Sequence, residues 1–206
     1  MKIIDTNNWA RKYYFHVHFD SVISYTAMMD ATRIYEYAHR LHLPFIPVLY
    51  HACLKAINEL EHFRYRIIDK DSVACYDQID LVSLELSTDH FSYPMFTPYT
   101  PSVKDFYQAY KQRRKETKAP REKEDPQVRH LNTVLFNTLS GIRFLSAPTM
   151  DLPETRRGML YVTFGQYERD EQGKVTLPVS ATFAHSLLDG YDFKLILDYL
   201  HNYGRE

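Results

Sequence analysis

The stretch KVTLPVSATFAHSLLDG, residues 174 to 190, combines a long alternating segment with a sharp turn. Apolar side chains occupy every second position from residue 175 to residue 183, and this spacing predicts a β-strand with one face in a core. The strand leads directly to His185, and the pair Asp189-Gly190 predicts a turn. Apolar residues spaced three and four apart then predict a closing helix that packs back on the sheet.

The chain upstream alternates helical and extended patterns. Helices are predicted over residues 30 to 43, 46 to 60 and 103 to 115, and strands over residues 63 to 68, 72 to 76, 81 to 88, 134 to 145 and 159 to 167. The prolines between residues 94 and 101 predict a loop, and the mixed-charge tract RRKETKAPREKEDPQ predicts a solvated connection. We therefore expect one α/β domain over residues 1 to 206: a mixed sheet covered by helices in a two-layer α+β arrangement.

Composition narrows the classes of partner. The chain of 206 residues carries 25 Lys and Arg against 26 Asp and Glu, so we expect neither nucleic acid nor an anionic membrane as partner. No signal-peptide or membrane-helix pattern is visible, which favours a cytoplasmic protein. Cys53 and Cys75 fit buried thiols rather than a disulfide. His16 and His18 alternate on a predicted strand and so face the same way, but no third ligand can be named, and the other histidines converge on no metal site that we can define.

A histidine at the end of a rigid strand can act as a base. A neutral imidazole can take a proton from an alcohol that attacks a thioester, and can return it to the leaving thiolate. The isolated pattern His-x-x-x-Asp-Gly is weak, however, because His185 could equally be an ordinary polar residue at a strand end and Asp189 a helix cap. The motif alone leaves both interpretations open.

Three further segments strengthen the catalytic interpretation. They are NWARKYYF at residues 8 to 15, LPFIPVLYHACLKAINELEHFRYRI at residues 43 to 67, and DHFSY at residues 89 to 93. Together with LPVSATFAHSLLDGYDFKLILDYL, they resemble the chloramphenicol acetyltransferase family in the same order along nearly the whole chain. The resemblance implies an enzyme, an acetyl-CoA-dependent O-acetyltransferase associated with antibiotic resistance.

The resemblance also implies roles for individual residues. His185 becomes the general base, and Asp189 becomes a structural carboxylate paired with Arg11. Thr149 falls where the family has a hydroxyl donor to the tetrahedral oxyanion, although a structural threonine in a turn fits the sequence equally well.

Partners follow from the same resemblance. Phe91, Ser92 and Tyr93 match residues that bind the hydroxyl acceptor, with chloramphenicol as the expected one, and acetyl-CoA is the expected co-substrate without any metal. A homotrimer is implied, with His185 of one chain facing a pocket of its neighbour.

Departures from the family pattern lie near the acceptor. Ala184 and Leu188 replace a His and a Cys, and the loop after His18 is shorter, so the acceptor could be another small alcohol. Two other interpretations remain open: an inactive trimeric binding module, and the acyltransferase core of 2-oxo acid dehydrogenase complexes. The latter is disfavoured because no lipoyl-type domain or Ala/Pro linker precedes the chain.

Overall fold

The computed structural model describes residues 1 to 117 and 126 to 204, so most of the mixed-charge tract lies outside the described residues. The described residues form ten strands: β1 Lys2–Asp5, β2 Val22–Asp30, β3 Tyr65–Ile67, β4 Ser72–Cys75, β5 Asp80–Leu86, β6 Ser92–Thr97, β7 Thr133–Thr138, β8 Tyr161–Phe164, β9 Glu168–Arg169 and β10 Val175–Ala184. The helices are α1 Lys12–Val17, α2 Thr32–Arg40, α3 Phe45–Glu59, α4 Val103–Thr117, α5 Pro153–Arg156 and α6 Gly190–Asn202. No helix within these described ranges is long and apolar enough to cross a membrane.

The large sheet is mixed and has the strand order β2-β10-β8-β7-β5-β6, with β9 paired to β10. Strands β8, β7 and β5 run parallel to one another, whereas β10 is antiparallel to both of its long neighbours, β2 and β8. A second sheet has the order β1-β4-β3. The predicted α+β class with a mixed sheet is confirmed.

Strand β10 has the two faces that its alternation predicts. The face with Val175, Leu177, Val179, Ala181 and Phe183 belongs to the main core, which it shares with α2, α3 and α6. The opposite face carries Ser180 and Thr182, whose hydroxyls bond to Thr26 and Ser24 of β2. Burial of one face and pairing on both edges hold the end of this strand, and therefore His185, in place.

Several local predictions were wrong, and each has a physical reason. The chain around His16 was predicted as a strand, but it forms α1, because the fully buried Phe15 anchors a helical turn against the core. The predicted loop between residues 94 and 101 was wrong in its first part, because residues 94 to 97 belong to β6, an edge strand where Pro94 is tolerated. The strand predicted over residues 134 to 145 ends at Thr138, and Gly141 then adopts a φ of 78°.

Arg66 is the largest fully buried side chain, and its hydrogen bonds go to backbone carbonyls. Its guanidinium donates to the carbonyls of Phe63, Tyr65, Leu131 and Thr133 at 2.6 to 2.9 Å. Burial lowers the pKa of Arg66 to about 10, which leaves the group charged at neutral pH. One side chain therefore joins β3 to the segment that enters β7, and so links the two sheets.

We expect Arg66→Met to lower the free energy of unfolding by about 3 to 5 kcal/mol, because several buried carbonyls would lose their donors. Arg66→Lys should fall between wild type and Arg66→Met, since an ammonium offers three donors in place of five. Denaturant titration followed by circular dichroism measures the change, with the exposed Lys104→Met as the matched control. A loss at Arg66→Met no larger than that of the control would contradict the linking role.

Candidate active site

His185 lies at the end of β10, where the backbone leaves the sheet. Its amide donates to the carbonyl of Ser21 at 2.8 Å, which extends the β2 ladder by one residue. The amides of Leu187 and Leu188 donate to the carbonyl of Ala184, so the chain turns immediately after the imidazole. Strand pairing on one side and the turn on the other fix the backbone of His185, while its side chain stays partly exposed.

The Nδ1 atom of His185 contacts two oxygens. One is the carbonyl oxygen of Leu188 at 3.3 Å, and the other is the phenol oxygen of Tyr14 at 3.0 Å. A carbonyl oxygen can only accept, so the contact with Leu188 favours the tautomer that carries its proton on Nδ1. In that tautomer, Nε2 has a free lone pair and can act as a base.

Two residues beside His185 were missed in the sequence. The ring of His18 lies 4.2 Å from the ring of His185 between centroids, and the ring of Tyr14 lies 5.5 Å away at an interplanar angle of 83°. Tyr14 lies within α1, and His18 is the residue at which α1 ends. Their spacing of four residues is the helical signal that could have identified them, but the alternation of His16 and His18 favoured a strand.

Asp192 is the acidic partner of Arg11. A terminal nitrogen of Arg11 lies 3.7 Å from a carboxylate oxygen of Asp192, whose side chain is only 4% exposed. Asp192 also accepts from the amide of Asp189 at 2.9 Å and lies 3.0 Å from Nδ1 of His62. A single buried carboxylate thus connects α1, the turn after His185, and the segment before β3.

The predicted pairing of Arg11 with Asp189 is therefore corrected. The carboxylate of Asp189 caps α6 and accepts from the amides of Tyr191 and Asp192 at 2.8 and 3.4 Å. Because this capping geometry turns Asp189 toward the helix end, the side chain one turn further on is the one that reaches Arg11.

Thr149 lies in the exposed segment between β7 and α5. The amide of the next residue, Met150, approaches the hydroxyl of Thr182 at 3.5 Å, which brings the end of this segment to the hydroxyl-bearing face of β10. The structure shows the position of Thr149 beside β10, and a role at an oxyanion remains a prediction.

The segment with Phe91, Ser92 and Tyr93 lies far from His185 within one chain. Strand β6 is four strand positions from β10, which corresponds to about 19 Å across the sheet. Strand pairing places Thr182 of β10 level with Val82 of β5, through Tyr161 and Leu135. Ser92 is level with Leu86, four residues further along β5, so it lies about 23 Å from His185 along the strand direction. The separation of about 30 Å means that one copy of the chain cannot bring these residues to its own His185.

A cleft of about 520 Å³ opens at the same end of the sheet as Ser92. It lies between the start of α3, the end of β5 and the helix α4, and three of its lining side chains are cationic: Lys111, Arg114 and Lys115. The buried carboxylate of Glu85 lies at its base, 3.2 Å from Arg114 and within hydrogen-bond distance of the Tyr110 hydroxyl at 2.6 Å. Its cationic rim suits an anionic ligand.

A family model described as "Chloramphenicol acetyltransferase" matches residues 1 to 201. A chloramphenicol acetyltransferase of Staphylococcus aureus is 26% identical over 206 residues, covering 97% of each chain, and one of Vibrio anguillarum is 26% identical, covering 92% of this chain and 88% of its own. A solved chloramphenicol acetyltransferase structure superposes with a TM-score of 0.82 at 24% identity over 98% of both chains. A dihydrolipoamide acetyltransferase of Azotobacter vinelandii superposes at 0.68 with 12% identity, covering 94% and 86%.

The partner of Arg11 can be tested with double-mutant cycles. We expect a coupling energy of about 1 to 2 kcal/mol between Arg11→Met and Asp192→Asn, and one below about 0.5 kcal/mol between Arg11→Met and Asp189→Asn. Asp189→Asn alone should cost little, because Asn caps a helix as well as Asp does. Unfolding free energies from denaturant titration supply both cycles, and the larger coupling at Asp189 would contradict the assignment.

Proposed function

This chain belongs to the chloramphenicol acetyltransferase family, and from that membership we propose that it transfers an acetyl group from acetyl-CoA to a hydroxyl of chloramphenicol, with His185 as the general base. The observation that supports His185 most directly is the contact of its Nδ1 with the Leu188 carbonyl, which favours a free Nε2. Because the curated relatives are only 26% identical to this chain, the experiment below tests the identity of the acceptor separately from the role of His185.

The reaction is a direct acyl transfer. Nε2 of His185 removes the proton of the acceptor hydroxyl while the oxygen attacks the thioester carbonyl, forming a tetrahedral oxyanion. The carbon–sulfur bond then breaks, the ester is released, and the CoA thiolate takes the proton back from the imidazolium. A hydroxyl from the segment containing Thr149 would donate to the oxyanion, an interaction worth about 2.7 to 4 kcal/mol in comparable sites.

The distance between His185 and Ser92 supports a site shared between two copies of the chain. A base from one chain and an acceptor segment from another can meet even though they lie about 30 Å apart in one chain. A homotrimer with three such junctions is the assembly we propose.

The second face of the large sheet supports the same assembly. Helices cover the core face, whereas the opposite face and its adjoining loop carry exposed apolar side chains at Met28, Leu86 and Leu145, which are 63%, 64% and 97% exposed. Part of this face is covered within the chain, where Ser180 and Thr182 are buried, and the exposed apolar side chains elsewhere on it are of the kind that a subunit interface covers.

The cationic cleft supports the use of coenzyme A. Lys111, Arg114 and Lys115 lie on α4, where they could pair with the phosphates of the cofactor, while Tyr107 and Tyr167 offer rings for its apolar and aromatic parts. Leu84 and Leu86 of β5 line the cleft, and Leu86 pairs with Ser92. The cleft therefore lies at the same end of the sheet as the proposed acceptor segment.

We expect purified protein to release thiol from acetyl-CoA at about pH 7.5 in a manner that depends on chloramphenicol, and His185→Ala to lower kcat by at least about a hundredfold, because it removes the base. His39→Ala is the matched control, since this histidine is exposed in the last turn of α2, outside the proposed base and acceptor segments. Thiol release is followed with a chromogenic disulfide. Turnover with other small alcohols and not with chloramphenicol would overturn the acceptor and keep the transferase, whereas turnover that survives His185→Ala would overturn the base.

The shared site predicts complementation between inactive variants. His185→Ala removes the base, and Ser92→Trp fills the acceptor position on the edge strand, so each should be inactive alone. When the two are unfolded and refolded together, about a quarter of the sites should combine an intact base with an intact acceptor segment and recover activity. A mixture that stays inactive while each variant assembles normally by light scattering would contradict a site between copies.

A further inference from the structure

We infer that Tyr14 is a positioning residue that holds the tautomer and orientation of His185 from the first helix, by accepting a hydrogen bond from Nδ1 with its phenol oxygen. The inference rests on the proposed function, because it assigns Tyr14 a role toward the same base. It is carried by the 3.0 Å contact between the two atoms, which is shorter than the contact with the Leu188 carbonyl.

The two oxygens around Nδ1 determine which atom carries the proton. If Tyr14 donated to a bare Nδ1, the proton of the neutral imidazole would sit on Nε2, and the carbonyl of Leu188 would face a lone pair at 3.3 Å without a donor. If Nδ1 carries the proton, both oxygens can accept from it in a bifurcated bond. The second arrangement satisfies both contacts and leaves Nε2 free.

The phenol of Tyr14 is suited to accept without ionising. Burial and then the nearby charge of Asp189 raise the pKa of Tyr14, so that the ring stays neutral throughout the pH range in which a histidine base works. When His185 becomes an imidazolium during turnover, Nδ1 remains a donor. The phenol oxygen of Tyr14 and the carbonyl oxygen of Leu188 can therefore accept from Nδ1 in both the neutral and the charged state of His185, without any rearrangement.

The position of Tyr14 is itself fixed by neighbours. The guanidinium of Arg11 lies 5.7 Å from the centre of its ring, and Arg11 is paired with the buried Asp192. The next residue, Phe15, is fully buried in the core. A continuous chain of contacts thus runs from Asp192 of α6 through Arg11 and Tyr14 to Nδ1 of His185.

The test is Tyr14→Phe, which keeps the ring and its packing and removes only the hydroxyl. The matched control is Tyr13→Phe, because the neighbouring phenol is 83% exposed. Nitrogen-15 spectra of histidine-labelled protein at about pH 8, assigned with His185→Gln, report which ring nitrogen carries the proton whether or not the enzyme turns over. We expect Nδ1 protonated in wild type and in Tyr13→Phe, and a mixture of tautomers in Tyr14→Phe.

Kinetics give the second readout. With the acceptor that supports turnover, Tyr14→Phe should lower kcat roughly tenfold, as expected for a lost hydrogen bond to a group that becomes charged, and leave both KM values within about twofold. A wild-type protein with its proton on Nε2, or a Tyr14→Phe protein with an unchanged tautomer and kcat, would overturn the inference. Failure of all acceptors in wild type would overturn the proposed function instead, and the spectra would still decide the role of Tyr14.

Discussion

The arrangement around His185 depends on one buried carboxylate, that of Asp192. It accepts from the amide of Asp189, lies against the guanidinium of Arg11, and meets the imidazole of His62. These three partners come from the turn after β10, from the start of α1, and from the segment before β3. A buried carboxylate is costly to desolvate, so it is stable only while its partners stay in place, and this requirement ties the two ends of the chain together.

The strand that carries His185 was predictable because its signal is local. Alternation from residue 175 to residue 183, followed by Asp189-Gly190, predicts both the burial of one face and the abrupt exit of the chain, and the structure has both. The role of Asp192 was also accessible in principle, since an acid three residues after an N-cap is the pattern of a capping box. The sequence does not show which acid pairs with Arg11, because the pairing depends on the direction in which each carboxylate points.

Elements with competing signals were predicted less well. The alternation of His16 and His18 favoured a strand, yet the chain is helical there, because burial of Phe15 and the pairing of Arg11 act over long range. Pro94 argued against a strand, but β6 is the last strand of its sheet, and an edge position does not need a donor from every residue. In both cases the deciding information is the place of the segment in the whole fold.

The proposed base and the proposed acceptor segment lie far apart on the large sheet of one chain. His185 and Ser92 lie at opposite corners, near the beginning of β8 and the end of β5, respectively. The face of the sheet opposite the main core is covered in part within the chain, because Ser180 and Thr182 are buried and Val82 and Phe96 pack with Val128. Met28 and Leu86 remain exposed on this face. Covering it with a second copy would bury the apolar groups and bring opposite corners of two sheets together. The same contact would then stabilise the proposed assembly and complete the proposed site, because neither corner alone holds both the proposed base and the proposed acceptor segment.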